Sequence, residues 1–133
     1  LRNEISQQCD ELELSFSLRS QSGMPNREQD LDIVDSVGEL FLFYKLAYIS
    51  FIGGSFPDSK SNLGGHNLIE PAYFDNIIMV GPDMSNFYDI TNDMLSEQAI
   101  IQVQSQAELA EQLLFFLDKI VLYFYVIIEL LVA

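Results

Sequence analysis

The run Tyr48-Ile49-Ser50-Phe51-Ile52-Gly53-Gly54-Ser55, followed at a short distance by Gly64-Gly65-His66-Asn67-Leu68-Ile69-Glu70-Pro71, decides how this chain folds. Residues 48–52 read as a strand that ends at the Gly53-Gly54 turn. Glycines let backbone N–H groups come close to a ligand, and a helix opening after them aims unpaired donors and a partial positive charge at an anion. Asn67 can donate or accept in the first turn of that helix. Glu70, three residues on, shares its helical face and can accept from a sugar hydroxyl. Strand, glycine turn and carboxylate-bearing helix form the arrangement with which α/β proteins often hold nucleotides.

Working outward, residues 4–12 are polar and suit a helix, whereas 14–18 alternate apolar and polar with the period of a strand. Residues 19–30 carry Gly23 and Pro25 and read as a loop. Residues 31–35 are a short strand candidate, and Ser36 with Glu39 three residues later has the spacing of a capping box. The predicted helix runs over 38–46, with Leu40, Phe43, Tyr44 and Ala47 at core-facing spacing. Downstream of the 57–62 loop, a helix is predicted over 67–74, a buried strand over 76–80 and a helix from Asn86 or Ser85 to about Leu95. A strand over 99–103 and a helix capped by Ser105 follow. Strands alternating with helices at short intervals imply parallel βαβ units and a doubly wound, Rossmann-like α/β sheet. Its ligand crevice is expected at the carboxyl ends of the strands, where the turns 36–38, 53–65 and 81–82 should converge.

The chain has 133 residues, enough for one domain with its own core, and 49% of them are hydrophobic. Its 20 acidic and 6 basic side chains give a formal charge of -14, which argues against nucleic acid as a partner and against simple electrostatic attachment to an anionic membrane. The single cysteine, Cys9, cannot form an internal disulfide and fits a reducing compartment. It has no neighbouring base and reads as a structural or incidental thiol. The chain opens Leu1-Arg2-Asn3-Glu4 without an initiating Met, so an internal start is expected. Beyond residue 117 the sequence turns almost wholly apolar, and 118–133 reads as an atypical tail. A greasy terminal helix packed on the domain is the preferred reading, ahead of an altered C-terminus and a membrane anchor. Its Ile, Val, Tyr and Phe also suit a strand.

Several blocks in one order then become recognisable. Asp35-Ser36-Val37-Gly38-Glu39-Leu40, Phe51-Ile52-Gly53-Gly54-Ser55, Gly64-Gly65-His66-Asn67-Leu68-Ile69-Glu70-Pro71-Ala72 and Gly81-Pro82 with Asn86-Phe87-Tyr88-Asp89-Ile90 resemble the C-terminal half of the Kdo transferases. The resemblance spans roughly residues 12–117. It implies a GT-B glycosyltransferase that moves 3-deoxy-D-manno-octulosonic acid from CMP-Kdo to a lipid A precursor in lipopolysaccharide synthesis. Residues 1–117 would be the Rossmann-like donor-binding domain, with the N-terminal GT-B domain absent. The resemblance implies no cofactor, CMP-Kdo being the donor substrate, and the implied setting is the cytoplasmic face of the bacterial inner membrane, whose surface becomes a candidate partner. Carried over, the donor-site residues are Ser36, Gly38 and Glu39 at one turn and Gly64, Gly65, His66, Asn67 and Glu70 at the other.

Two departures accompany the resemblance. The 57–63 link is expanded, and Asp83-Met84 replaces a usual His-Thr, so Asp83 is expected to oppose an anionic donor. The resemblance supplies no catalytic base here, because the family's acidic base and its Pro-Arg-His turn belong to segments this chain does not contain. The isolated chain is therefore expected not to transfer sugar, and a truncated, non-catalytic remnant is the alternative reading. Each assignment also has a plainer version. Glu39 can be a capping residue as readily as a ligand contact, Asn67 can fix the turn as readily as touch ligand, and His66 reads first as a capping or turn-packing residue. With one histidine, neither a metal cluster nor a Ser-His-Asp triad is expected.

Overall fold

The computed structural model describes residues 2–23, 28–57, 62–119 and 125–128. The chain divides into two compact units, Leu1–Leu40 and Phe41–Leu131. In the first, helix α1 (Arg2–Glu11) leads to strand β1 (Phe16–Leu18), the single turn α2 (Arg19–Ser22) and strand β2 (Leu31–Ile33). The strands pair in parallel, with Phe16, Ser17 and Leu18 opposite Leu31, Asp32 and Ile33. Three serine–aspartate pairs reinforce them. Asp30 Oδ2 accepts from the Ser15 amide at 2.9 Å and its hydroxyl at 2.7 Å, and Ser17 Oγ donates to Asp32. Asp35 accepts from the Ser20 amide at 2.8 Å and hydroxyl at 2.6 Å. Among the described residues of this unit Cys9 alone is a buried hydrophobic, so directed polar contacts carry much of its definition. Cys9 is a free, buried thiol. The expected loop after β1 instead starts as α2, closed where the Gly23 amide donates to Arg19 O at 3.2 Å with φ of +77°.

The second unit holds a four-stranded parallel sheet in the order β5-β4-β3-β6. Helix α3 (Leu40–Leu46) runs into β3 (Ala47–Ile52). It is followed by α4 (Ile69–Tyr73), β4 (Ile77–Val80), a 3-10 turn (Ser85–Phe87), α5 (Tyr88–Ser96), β5 (Ile100–Gln102), α6 (Gln106–Leu117) and β6 (Tyr125–Ile128). Side chains alternate along the strands and so build two cores. On one face Ile52, Ile78, Val80 and Ile100 pack with Leu68 and Met84 beneath residues of α4 and α5. On the other, Ile49, Phe51 and Met79 pack with Val103 beneath Leu109, Leu113 and Phe116 of α6. Helices on both faces explain why β3 and β4 are nearly continuous apolar runs, and the expected Rossmann-like α/β fold is the one observed. Ser50 is the polar interruption in β3. Its hydroxyl donates to Asn76 Oδ1, and Asn76 Nδ2 donates to Tyr44 O at 2.9 Å, so these two buried side chains are paired.

Three expectations are corrected. Of the four residues given core-facing spacing around α3, Tyr44 is buried and Phe43 half-buried, but Leu40 is exposed and Ala47 already belongs to β3. Asn86 and Ser85 do not cap α5, because the 3-10 turn precedes it and no side chain caps either start. The preferred terminal helix is also replaced by β6, which pairs with β3 from Tyr125 opposite Ala47 to Ile128 opposite Phe51. β-Branched Val126, Ile127 and Ile128 favour strand, and a neighbouring strand satisfies the backbone donors and acceptors that β3 would otherwise present on that side. The 57–62 loop lies only partly, and residues 120–124 and 129–133 not at all, within the described residues.

Candidate functional site: the carboxyl rim of the parallel strands

β3, β4 and β5 end in turns that bind one another. Ser55 Oγ donates to Ile52 O at 2.5 Å and accepts from the Gly81 amide at 2.8 Å, and Ser55 O accepts from the Asp83 amide at 2.9 Å. At β5, Gln102 Nε2 donates to Gly81 O at 3.2 Å, while the Val103 amide donates to Val80 O at 2.9 Å. A Cβ on Gly81 would run into the Ser55 carbonyl, so only glycine lets these turns approach.

The Gly64-Gly65 turn is laid across this rim. The Gly65 amide donates to Gly54 O at 3.0 Å, and the His66 amide to Gly53 O at 3.2 Å. From the other side the Asn86 amide donates to Gly64 O at 2.9 Å, and Asn86 Nδ2 donates to Leu63 O at 2.6 Å. Both glycines have positive φ, +65° and +77°, and a Cβ on Gly65 would collide with Met84 Sδ. The glycines are required by the packing of the turn on 81–86. The two amides engaged with Gly53 and Gly54 are not the unpaired donors that the sequence pattern suggested. Moreover α4 has only five residues, too short for much of a macrodipole.

What this turn presents is side chains. Asn67 Oδ1 accepts from the Ile69 amide at 3.0 Å, which starts α4, while Asn67 Nδ2 lies 3.4 Å from Glu70 Oε1. Asn67 therefore fixes the turn and steers the carboxylate. His66, Asn67 and Glu70 are half-buried, whereas Gly64 and Gly65 are buried. Asp83 belongs to the same rim. Its Oδ1 accepts from the Ser85 amide at 3.2 Å, and its Oδ2 is buried without a partner among the described residues.

Ser36, Gly38 and Glu39 cluster in the first unit. Ser36 Oγ donates to Glu39 Oε2 rather than accepting a helix amide, so the spacing yields a side-chain pair in place of a capping box. Arg19 Nη2 donates to Glu39 Oε1 at 2.8 Å. The Ser36 hydroxyl, and after it the Arg19 guanidinium, hold the Glu39 carboxyl below its usual value. Gly38 has φ of +84° and open space where a Cβ would stand, unlike the crowded Gly65. The structure thus gathers Gly64, Gly65, His66, Asn67 and Glu70 at one rim and Ser36, Gly38 and Glu39 at another turn. Sequence reasoning gave no role to Ser55 or Arg19 and the wrong one to Asn86. Ser55 follows the Gly53-Gly54 pair, which is the signal available for it. Arg19 sits in a stretch read as loop and carries none.

Among the described residues no group of three His, Cys, Asp or Glu side chains is arranged to hold a metal ion. No helix among them is long and apolar enough to cross a membrane. A depression of about 340 Å³ lies in the first unit against Phe16, Ser17, Leu18, Gln21, Ser22 and Gln29.

No protein-family model matches the chain. Individual proteins do. The chain is 45% identical over 114 residues to 3-deoxy-D-manno-octulosonic acid transferase of Rickettsia bellii, which covers 86% of this chain and 26% of that enzyme. It is 34% identical over 97 residues to the enzyme of the same name from Haemophilus influenzae, covering 73% of this chain and 22% of that one. Among solved structures, the C-terminal CMP-Kdo binding domain of WaaA from Acinetobacter baumannii matches with a TM-score of 0.79 and 30% identity, over 88% of this chain and 59% of that one. The chain spans about a quarter of the length of the curated relatives it matches. Sequence blocks, parallel-sheet fold and these likenesses agree, and the chain belongs to the 3-deoxy-D-manno-octulosonic acid transferase family, whose C-terminal domain it corresponds to.

Proposed function

We propose that this chain is the donor-binding part of a GT-B glycosyltransferase that moves Kdo from CMP-Kdo to a lipid A precursor during lipopolysaccharide synthesis. The observation that carries the reading is the likeness to a domain described as CMP-Kdo binding, at 30% identity and a TM-score of 0.79. The rim supports it. In open α/β sheets ligands lie outside the carboxyl ends of the strands, and here that edge carries Asn67 and Glu70 on a turn locked by Gly53, Gly54 and Asn86. Glu70 and Glu39 suit ribose or sugar hydroxyls, because an ionised carboxylate accepts strongly from O–H donors. The resemblance assigns no acidic base to the residues of this chain, and a general base must reach the proton it removes. Transfer would then need the acceptor-binding N-terminal domain, and an inner-membrane surface would be where the lipid acceptor is met.

Titration of the chain with CMP, UMP and GMP by calorimetry tests the reading. Saturable binding of CMP, with weaker binding of the other two, is the expected result. Equal affinity for all three would point to another nucleotide-sugar donor. Absence of CMP binding at millimolar concentration would instead support a non-catalytic remnant of the enzyme.

A further inference from the structure

Arg19 stands directly after β1, and Glu39 lies beyond the end of its parallel neighbour β2, so both occupy the carboxyl side of the strand pair. The two segments are fastened there, since Ser20, next to Arg19, gives its amide and hydroxyl to Asp35 at 2.8 and 2.6 Å. Arg19 Nη2 meets Glu39 Oε1 at 2.8 Å, and Ser36 Oγ meets Glu39 Oε2. The side chains of Arg19 and Glu39 are 24% and 28% exposed, so the pair is partly withdrawn from water and held more firmly than an open surface pair. Arg19 Nε is buried with no partner among the described residues, so the guanidinium reaches Glu39 through Nη2 and not as a two-pronged fork. A carboxylate gripped at both oxygens keeps one orientation, yet each oxygen retains a second lone pair for another donor. Beside it, Gly38 leaves open space where a side chain would stand.

We propose that Arg19 is a positioning residue for the nucleotide donor: with Ser36 it fixes the Glu39 carboxylate so that Glu39 accepts a hydrogen bond from a ribose hydroxyl of the cytidine nucleotide. This rests on the donor-binding reading above. Arg19 acts through Glu39, and its own charge is already engaged by that carboxylate. The contribution of Arg19 therefore depends on the ribose hydroxyls of the ligand.

The test is calorimetric titration of the full chain, and of its R19Q, E39Q and R19Q/E39Q variants, with CMP and with 2′,3′-dideoxy-CMP, folding being checked by circular dichroism. R19Q is expected to weaken CMP binding by about tenfold, the scale of one charge-assisted hydrogen bond, and to leave the dideoxy analogue unaffected. The double variant should bind CMP no more weakly than E39Q. Equal losses on both nucleotides, or unchanged CMP binding in R19Q, would overturn this inference and leave the donor reading standing. Failure of the parent chain to bind CMP overturns the donor reading and this inference with it. Should R19Q not fold, E39Q decides: a loss confined to CMP supports the proposal, and unaltered CMP affinity overturns it.

Discussion

Ser55 Oγ accepts the Gly81 amide at 2.8 Å, and through that bond the turn after β3 carries the turn after β4. Both residues are fully enclosed, and the same hydroxyl donates to Ile52 O. Ser55→Ala would leave a buried amide without a partner, at a cost of about 1–3 kcal/mol. Urea denaturation of the variant checks this, and a change below about 0.5 kcal/mol, the range of ordinary surface substitutions, would mean that the rim does not depend on Ser55.

Gly65 and Gly38 separate two reasons for placing a residue without a side chain at a turn. Both have positive φ, but a Cβ at Gly65 strikes Met84 Sδ whereas one at Gly38 meets open space. Gly38→Ala should therefore cost about 1 kcal/mol of backbone strain. Gly65→Ala should cost roughly 1–3 kcal/mol more from overpacking. Thermal denaturation of the two variants measures the difference, and equal losses would deny the close packing of 64–65 on 81–86.

Acid should loosen the first unit. Asp30 is lowered from 3.8 by the Ser15 hydroxyl and then its amide, and Glu39 is lowered from 4.5 by Ser36 and then Arg19. A carboxyl whose folded pKa is depressed binds protons less readily than in the unfolded chain. Its stabilisation is full above the ordinary value and is lost as pH falls through the lowered one. Stability of this unit should thus be level above about pH 5 and decline steadily below the ordinary carboxylate values. Ser15→Ala should lower stability at neutral pH and flatten the acid decline. Amide exchange of 15–18 and 30–33 between pH 3 and 7 reports both, and a steeper decline in the variant would contradict the assignment.

Removing Asn67 should affect the ligand more than the fold. Its Oδ1 holds the Ile69 amide and its Nδ2 steers Glu70, both at exposed or half-buried positions. Asn67→Ala is expected to cost about 1 kcal/mol of stability and, on the proposed function, to weaken CMP binding by about tenfold. Calorimetry and denaturation on one sample separate the two effects. Unchanged CMP affinity would show that Glu70 needs no such support.

The same four-residue spacing, Ser-x-x-Glu, occurs twice and shows where sequence suffices. At Ser105-Gln106-Ala107-Glu108 it is a working cap: Ser105 Oγ accepts from the Glu108 amide at 3.1 Å, and Glu108 Oε2 accepts from the Gln104 amide at 2.7 Å. At Ser36-Val37-Gly38-Glu39 the intervening glycine turns left-handed, α3 begins only at Leu40, and the two side chains bond each other. The parallel sheet was legible because β3 and β4 are buried on both faces and leave uninterrupted apolar runs. The apolar stretch holding β6 was not, since a short greasy run is ambiguous until an open strand edge selects its conformation. At the rim, Gly64 and Gly65 announced a tight turn correctly. Which groups their amides would meet depended on Gly53, Gly54 and Asn86, brought there by tertiary structure and by no local pattern.

Chemical-shift mapping of the chain on addition of CMP tests the central claim most directly. The account predicts saturable shifts at the amides of residues 65–70, absent or greatly weakened in a Glu70→Ala variant. Shifts confined to Phe16, Gln21 and Gln29, or no saturable shift at millimolar CMP, would contradict it.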